Sequence, residues 1–153
     1  MQKLILIFLI ALFSVACKQS ANSNQNQAPV ASSEVSQSVS TSPENASVVQ
    51  AFKQHKSNVQ VEGKGEVEKI LADDNNGLRH QKFLVKISSE QTLLFAHNLD
   101  LAARVEPLAV GDTVEFKGEY VYNPKGGIVH WTHKDPQGHH EAGWIKHNGQ
   151  TFQ

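Results

Sequence analysis

Gly111-Asp112-Thr113-Val114-Glu115-Phe116-Lys117-Gly118-Glu119-Tyr120-Val121-Tyr122 is the stretch that decides the fold. Val114, Phe116, Tyr120 and Tyr122 fall on one side of an extended chain; Thr113, Glu115, Lys117 and Glu119 fall on the other. Successive strand side chains point to opposite faces, so this period of two predicts a β-strand with one buried face. Gly111-Asp112 turns the chain into it. Asn123-Pro124-Lys125-Gly126-Gly127 follows as a hairpin loop, and Ile128 to Thr132 returns.

The same reading extends upstream. Val59, Val61, Gly63, Gly65 and Val67 alternate with Gln60, Glu62, Lys64 and Glu66. Two glycines in one strand predict a sharp bend or bulge, as at a barrel corner. Asp73-Asp74-Asn75-Asn76-Gly77 is turn chemistry. Phe83, Val85 and Ile87 alternate with Lys82, Lys86 and Ser88, and Thr92 to Ala96 is a short apolar strand. Asp100 is placed to cap a short helix, Leu101 to Arg104, that must stop before Pro107. Gln150-Thr151-Phe152 predicts a last edge. Three strands, a short helix and two more strands match the OB-fold, a five-stranded Greek-key barrel. The expectation is an all-β domain with small α content, built as an OB-like five-stranded barrel. Another small barrel or a sandwich would show similar alternation.

The other end of the chain is of a different kind. Lys3 is followed by an unbroken apolar run, Leu4 to Phe13, then Ser14-Val15-Ala16-Cys17. A charged start, a short apolar stretch and small residues before a cut predict an export signal over residues 1–16. The run is about ten residues, half of the roughly twenty a spanning helix needs. Cys17 is the only cysteine. Ser14-Val15-Ala16-Cys17 resembles the lipobox of bacterial lipoproteins, except that Leu is usual where Ser14 stands. The resemblance implies acylation of Cys17 and a membrane partner through that lipid. Lys18, in place of the Asp that retains lipoproteins at the inner membrane, implies an outer-membrane lipoprotein facing the periplasm. Ser14-Val15-Ala16 also fits ordinary cleavage, which would give a secreted protein.

Residues 17–49 read as a lipid-attached disordered tether. They are mostly Ser, Gln, Asn, Ala and Val, with two Glu and no aromatic residue, too little apolar surface to offset chain entropy. The domain is expected over residues 50–153. The chain carries 14 Lys and Arg against 15 Asp and Glu, a net charge of −1. That balance gives no strong nucleic-acid signal, which rests on clustered cations. A single cysteine excludes Cys-based zinc sites and disulfides within the chain.

All eight histidines lie beyond residue 50, and five of them share residues 130–147 with both tryptophans. The segments His130-Trp131-Thr132-His133-Lys134-Asp135-Pro136, His139-His140-Glu141 and Gly143-Trp144-Ile145-Lys146-His147-Asn148-Gly149 carry a resemblance, together with Gly77-x-Arg79-His80-Gln81 and Ala96-His97-Asn98. Over about residues 60–153 they resemble a family of small exported bacterial proteins of unknown function. The resemblance implies no activity.

Three chemistries compete for these residues. Imidazole is the commonest metal ligand, so His130, His133 and Asp135 are candidates for Zn²⁺ or another divalent metal. On a flat strand His130 and His133 point apart, and they converge only if the strand ends near Thr132; otherwise these are polar-loop histidines. Trp131 and Trp144 are candidate ligand-binding rings, since OB-folds stack bases and sugars on aromatic residues. Arg79, His80, His97 and Arg104 are candidate catalytic residues for a metal-assisted phosphodiester hydrolase, with Asp73, Asp74 and Glu62 as carboxylates of the right type. The thermonuclease family is similar in fold and residue kinds only. Asp73 and Asp74 equally suit a solvated turn. Histidines on a near-neutral domain also turn it cationic near pH 5, which points to an anionic polymer or small ligand as partner. The leading expectation is a lipid-anchored envelope binding or structural module with its site in the His/Trp-rich C-terminal segment; the hydrolase is the alternative.

Overall fold

A computed structural model describes residues 42–153. The expected signal peptide, Cys17 and residues 18–41 of the expected tether lie outside the described residues. A 3-10 turn, Pro43–Asn45, leads into helix α1, Ala46–Lys53. Seven strands follow: β1 Val59–Ile70, β2 His80–Lys86, β3 Thr92–Asn98, β4 Thr113–Val121, β5 Ile128–His130, β6 Trp144–His147 and β7 Gln150–Phe152.

The first five strands close on themselves in the order β1-β2-β3-β5-β4, with β4 returning to β1. All neighbours are antiparallel except β3 and β5, which run parallel. This is the OB-like barrel that the alternation predicts. Long β1 serves two partners: Val59 to Glu66 pair with β4, and Glu66 to Ile70 pair with β2. It must curl between them, and Gly63 and Gly65 sit at the curl. A Cβ on Gly65 would lie 2.5 Å from the Lys86 carbonyl oxygen, and one on Gly63 would lie 2.6 Å from Asn45 Oδ1. Only glycine admits such close backbone approach. A bulge between Val67 and Lys69 adds to the bend.

The inward face is the predicted one. Val61, Val67, Phe83, Val85, Phe95, Val114, Phe116 and Tyr120 are buried, with Phe95 edge-on to Phe116 at 4.9 Å. Tyr120 also donates its hydroxyl proton to the Gly126 carbonyl at 3.0 Å. Gly127 has φ +107, and a side chain there would run into the Tyr120 ring.

Three expectations are corrected. The boundary at residue 50 falls inside α1: Val48 is fully buried and Asn45 nearly so. Asn45 donates through Nδ2 to the carbonyls of Lys64 and Ile87 and accepts from the Lys64 N–H. A buried amide with three partners ties the end of the supposed tether into the domain. Secondly, residues 101–104 pass from a turn through a bend into irregular chain and form no helix. The Asp100 carboxylate that would cap it instead accepts from the backbone N–H and Nε of Arg79, each at 2.8 Å. Thirdly, β5 stops at His130, because Trp131 takes a left-handed backbone, φ +50. The chain then runs through a loop, residues 131–143, to the hairpin β6–β7. Gln150–Phe152 forms the expected edge; its partner β6 was not foreseen. Asn148 and Gly149 join them with φ +47 and +77, the two positive values a tight hairpin turn requires.

Candidate functional site

The site is assembled where β4, β5 and the 131–143 loop meet. Glu119 and His130 are direct partners across the β4–β5 ladder, on the outward face. His130 Nε2 donates to Glu119 Oε1 at 3.2 Å. The other oxygen, Oε2, meets His140 Nε2 at 2.7 Å. One carboxylate therefore holds two imidazoles, one from a strand and one from the loop. The His140 ring lies parallel to Trp131, 5° between planes and 4.2 Å between centroids. His133 leans on Trp131 from 5.1 Å.

Asp135 organises the loop. Its carboxylate accepts three backbone N–H groups, from Gln137 at 2.9 Å, His139 at 2.7 Å and His140 at 2.9 Å. Those bonds, first the one from Gln137, hold its pKa below the ordinary carboxylate value. Gly143 ends the loop by passing between strands; a Cβ there would run into the carbonyl oxygens of Trp131 and Lys117. Lys117 then clamps the loop's far side through a 2.7 Å ion pair with Glu141.

Charge is distributed unevenly among these histidines. Burial lowers the pKa of His130, outweighing the pull of Glu119. Desolvation also acts on His140, but the Glu141 carbonyl, Glu119 and Asp135 together outweigh it, and its pKa is raised. His97, fully buried at the end of β3, is pushed down to about 4 by desolvation. It receives the Thr132 hydroxyl proton at Nδ1 (2.8 Å) and donates from Nε2 to the Ala103 carbonyl (3.0 Å). The carbonyl requires a proton on Nε2, and the hydroxyl is able to donate to a bare Nδ1, so a neutral ring satisfies both contacts.

The candidate catalytic residues thus divide. His97 is structural: with Gln81, which bonds both backbone groups of Val105, it pins the β3–β4 connection across the barrel end. Arg104 pairs with Asp73 and Arg79 with Asp100. His80 pairs through its backbone with Asp74. The metal candidates do not converge as ligands. His130 is committed to Glu119, Asp135 to three N–H groups, and buried His133 donates from Nδ1 to the Lys134 carbonyl at 2.8 Å. Among the described residues no group of three or more His, Cys, Asp or Glu is placed to hold a metal ion.

The two tryptophans also separate. Trp144 lies beside a groove of about 480 Å³ with Glu62, Lys64 and Glu115, and Lys146 Nζ stands 4.4 Å over its ring. Trp131 walls a groove of about 310 Å³ with Leu101, Pro136, His139 and His140. Of the two residues that centre the site, His140 stands in the His-rich motif segment without a partner assigned to it, and Glu119 was missed by sequence reasoning. Glu119 reads there as an ordinary solvent-face charge, and nothing local announces that the loop returns a histidine to it.

The motif segments now have physical roles. Thr132 and His133 are buried anchors, Asp135 is the loop's internal cap, Gly143 is a crossing point, and Asn148-Gly149 is a turn. His147 buries its ring and donates to Asp112 at 2.9 Å, joining β6 to the Gly111-Asp112 turn. No curated protein and no solved structure shows detectable similarity to the chain. A family model matches residues 30–153. Its span takes in every described element, and the chain belongs to that family, described as protein of unknown function DUF3465.

Proposed function

We propose that this protein is an exported, lipid-anchored binding module of the bacterial envelope, attached through Cys17 at the outer membrane. Its site is the groove beneath the His/Trp-rich loop, and its ligand is an acidic sugar. The anchor is supported by the order of Lys3, the Leu4 to Phe13 run and Ser14-Val15-Ala16-Cys17. Acyl chains at about 0.8 kcal/mol per buried methylene make such attachment effectively permanent.

The observation that carries the binding reading is the groove itself. About 310 Å³ lies at the low end of ligand-site volumes, about 300–1,000 Å³. Its walls combine apolar Leu101, Trp131 and Pro136 with the polar side chains of Gln137, His139 and His140 and with Asp135, whose carboxylate is taken up by three backbone N–H groups. Apolar rings suit the C–H face of a sugar, and the exposed His139 imidazole and Gln137 amide supply donors for a carboxylate. Metal-assisted hydrolysis draws no comparable support among the described residues, where His130, His133 and Asp135 are each engaged by other groups.

The test uses the exported chain kept soluble by Cys17→Ser, titrated with a short oligogalacturonate. Backbone amide shifts confined to Leu101, Trp131, Asp135 and Gln137–His140 are expected. Shifts scattered over the barrel, or none, would remove the reading. In parallel, Cys17→Ser should move the protein from the membrane to the soluble periplasmic fraction; unaltered membrane association would remove the anchor.

A further inference from the structure

We propose that the 131–143 loop is latched to the barrel by a protonated His140, and that it loosens when that single proton is lost. The two ring nitrogens of His140 face different groups. Nδ1 meets the Glu141 carbonyl oxygen at 3.0 Å. Nε2 meets the Glu119 carboxylate at 2.7 Å. A carbonyl and a carboxylate are both acceptors. A neutral imidazole carries one N–H, so it satisfies one of them and turns a lone pair toward the other. Only the imidazolium donates to both.

The remaining surroundings agree. Trp131 stacks flat on the ring, and an aromatic face favours a cation over a neutral ring. Asp135 lies close enough that its charge helps raise the His140 pKa. Opposing groups are present too. His130, from β5, shares Glu119; His133 lies against Trp131; His139 is the chain neighbour and is exposed; Lys117, from β4, is taken up by Glu141. The net result is a raised pKa at His140 beside a lowered one at His130. Of two imidazoles on one carboxylate, the loop's is the one that carries the charge.

His97 provides the internal contrast. Its two nitrogens face a hydroxyl, which donates, and a carbonyl, which accepts, and that arrangement needs no extra proton. The difference between the two histidines is written in the partners' chemistry.

The sign follows from linkage. A folded-state pKa above the free value gives stabilisation that is complete below the free value. It is lost as pH rises through the raised one. The loop is therefore tight on the acid side and loosens on the alkaline side. The released segment would carry away Asp135, Pro136, Gln137, His139 and His140, five of the seven residues that line the groove. That consequence rests on the binding reading above; the latch itself is measured with no ligand present.

The experiment is a histidine ¹⁵N titration of the exported Cys17→Ser chain, with amide hydrogen exchange over residues 135–143 between about pH 5 and 8. His140 is expected to titrate above the ordinary histidine value with both nitrogens protonated below it. Loop protection, corrected for intrinsic rate, should fall about tenfold for each unit by which the latched pKa exceeds the free one. Glu119→Gln supplies an amide that donates to a neutral ring, so it should abolish the pH dependence while keeping protection. His139→Gln should leave both unchanged. A His140 that titrates at or below the ordinary value, or loop protection that is flat with pH, overturns the latch whether or not any sugar binds.

Discussion

His97 and Thr132, 35 positions apart, share a 2.8 Å hydrogen bond in full burial. The bond joins the end of β3 to the second residue of the loop that builds the site. Burial commits His97 to the neutral state, because the cation would be desolvated and would face the Arg104 guanidinium.

Acid should therefore weaken the fold through His97. Its pKa is about 4 in the folded chain against an ordinary 6.5. The unfolded chain takes the proton first as pH falls. Its contribution is whole above the ordinary value and is lost on the way down to about 4, in all about 3 kcal/mol. Urea denaturation at pH 7 and about pH 4.5 should show wild type losing about 2 kcal/mol more than His97→Gln, which cannot titrate. Equal losses would show that His97 does not titrate as described.

The amino-terminal segment should behave as part of the domain. Asn45→Ala leaves the Lys64 N–H and two carbonyls without their partner. A loss of about 3 kcal/mol in thermal or denaturant unfolding is expected. A chain shortened to begin at residue 50 should lose at least as much, since Val48 goes too. Unchanged stability on shortening would restore the boundary at residue 50.

Gly143 should tolerate no side chain. Gly143→Ala drives a methyl into the Trp131 and Lys117 carbonyls, neither of which is the free end of a flexible group. Destabilisation of about 3 kcal/mol is expected, with loss of the His140–Trp131 stacking seen as altered tryptophan fluorescence. A stable variant with native fluorescence would show that the loop has room the crossing does not suggest.

Tyr120 should be the tyrosine that resists alkali. Burial, with help from Tyr122, pushes its phenol up to about 12. Ultraviolet titration of wild type against Tyr120→Phe should assign the high-pH step to this residue. The same substitution should cost about 1 kcal/mol through the lost bond to Gly126.

The barrel was legible because its cause is local and repetitive. Alternation over Val59 to Val67, Phe83 to Ile87 and Thr113 to Tyr122 follows from the strand's period of two, and burial of one face needs nothing further. Gly63 and Gly65 announced the curl of β1 for the same reason. The helix expected at Leu101 failed because Asp100 had a competing use that only folding supplies, the approach of Arg79. The tether ran too far because Asn45 and Val48 look unremarkable until the barrel offers them carbonyls and a core.

For the site, composition singled out the segment and misread its residues. Sequence alone determined that histidines and tryptophans crowd residues 130–147 and that β4 presents a polar face. Whether those histidines meet a metal, a carboxylate or a carbonyl depends on partners from other elements. Glu119 reaches His130 through the strand register and His140 through a loop closure. His97 reaches Thr132 through parallel pairing of β3 and β5. Side-chain period is a property of one segment and can be read from it. A ring nitrogen's charge is set by which acceptors surround it, and only the tertiary structure brings those acceptors within 3 Å.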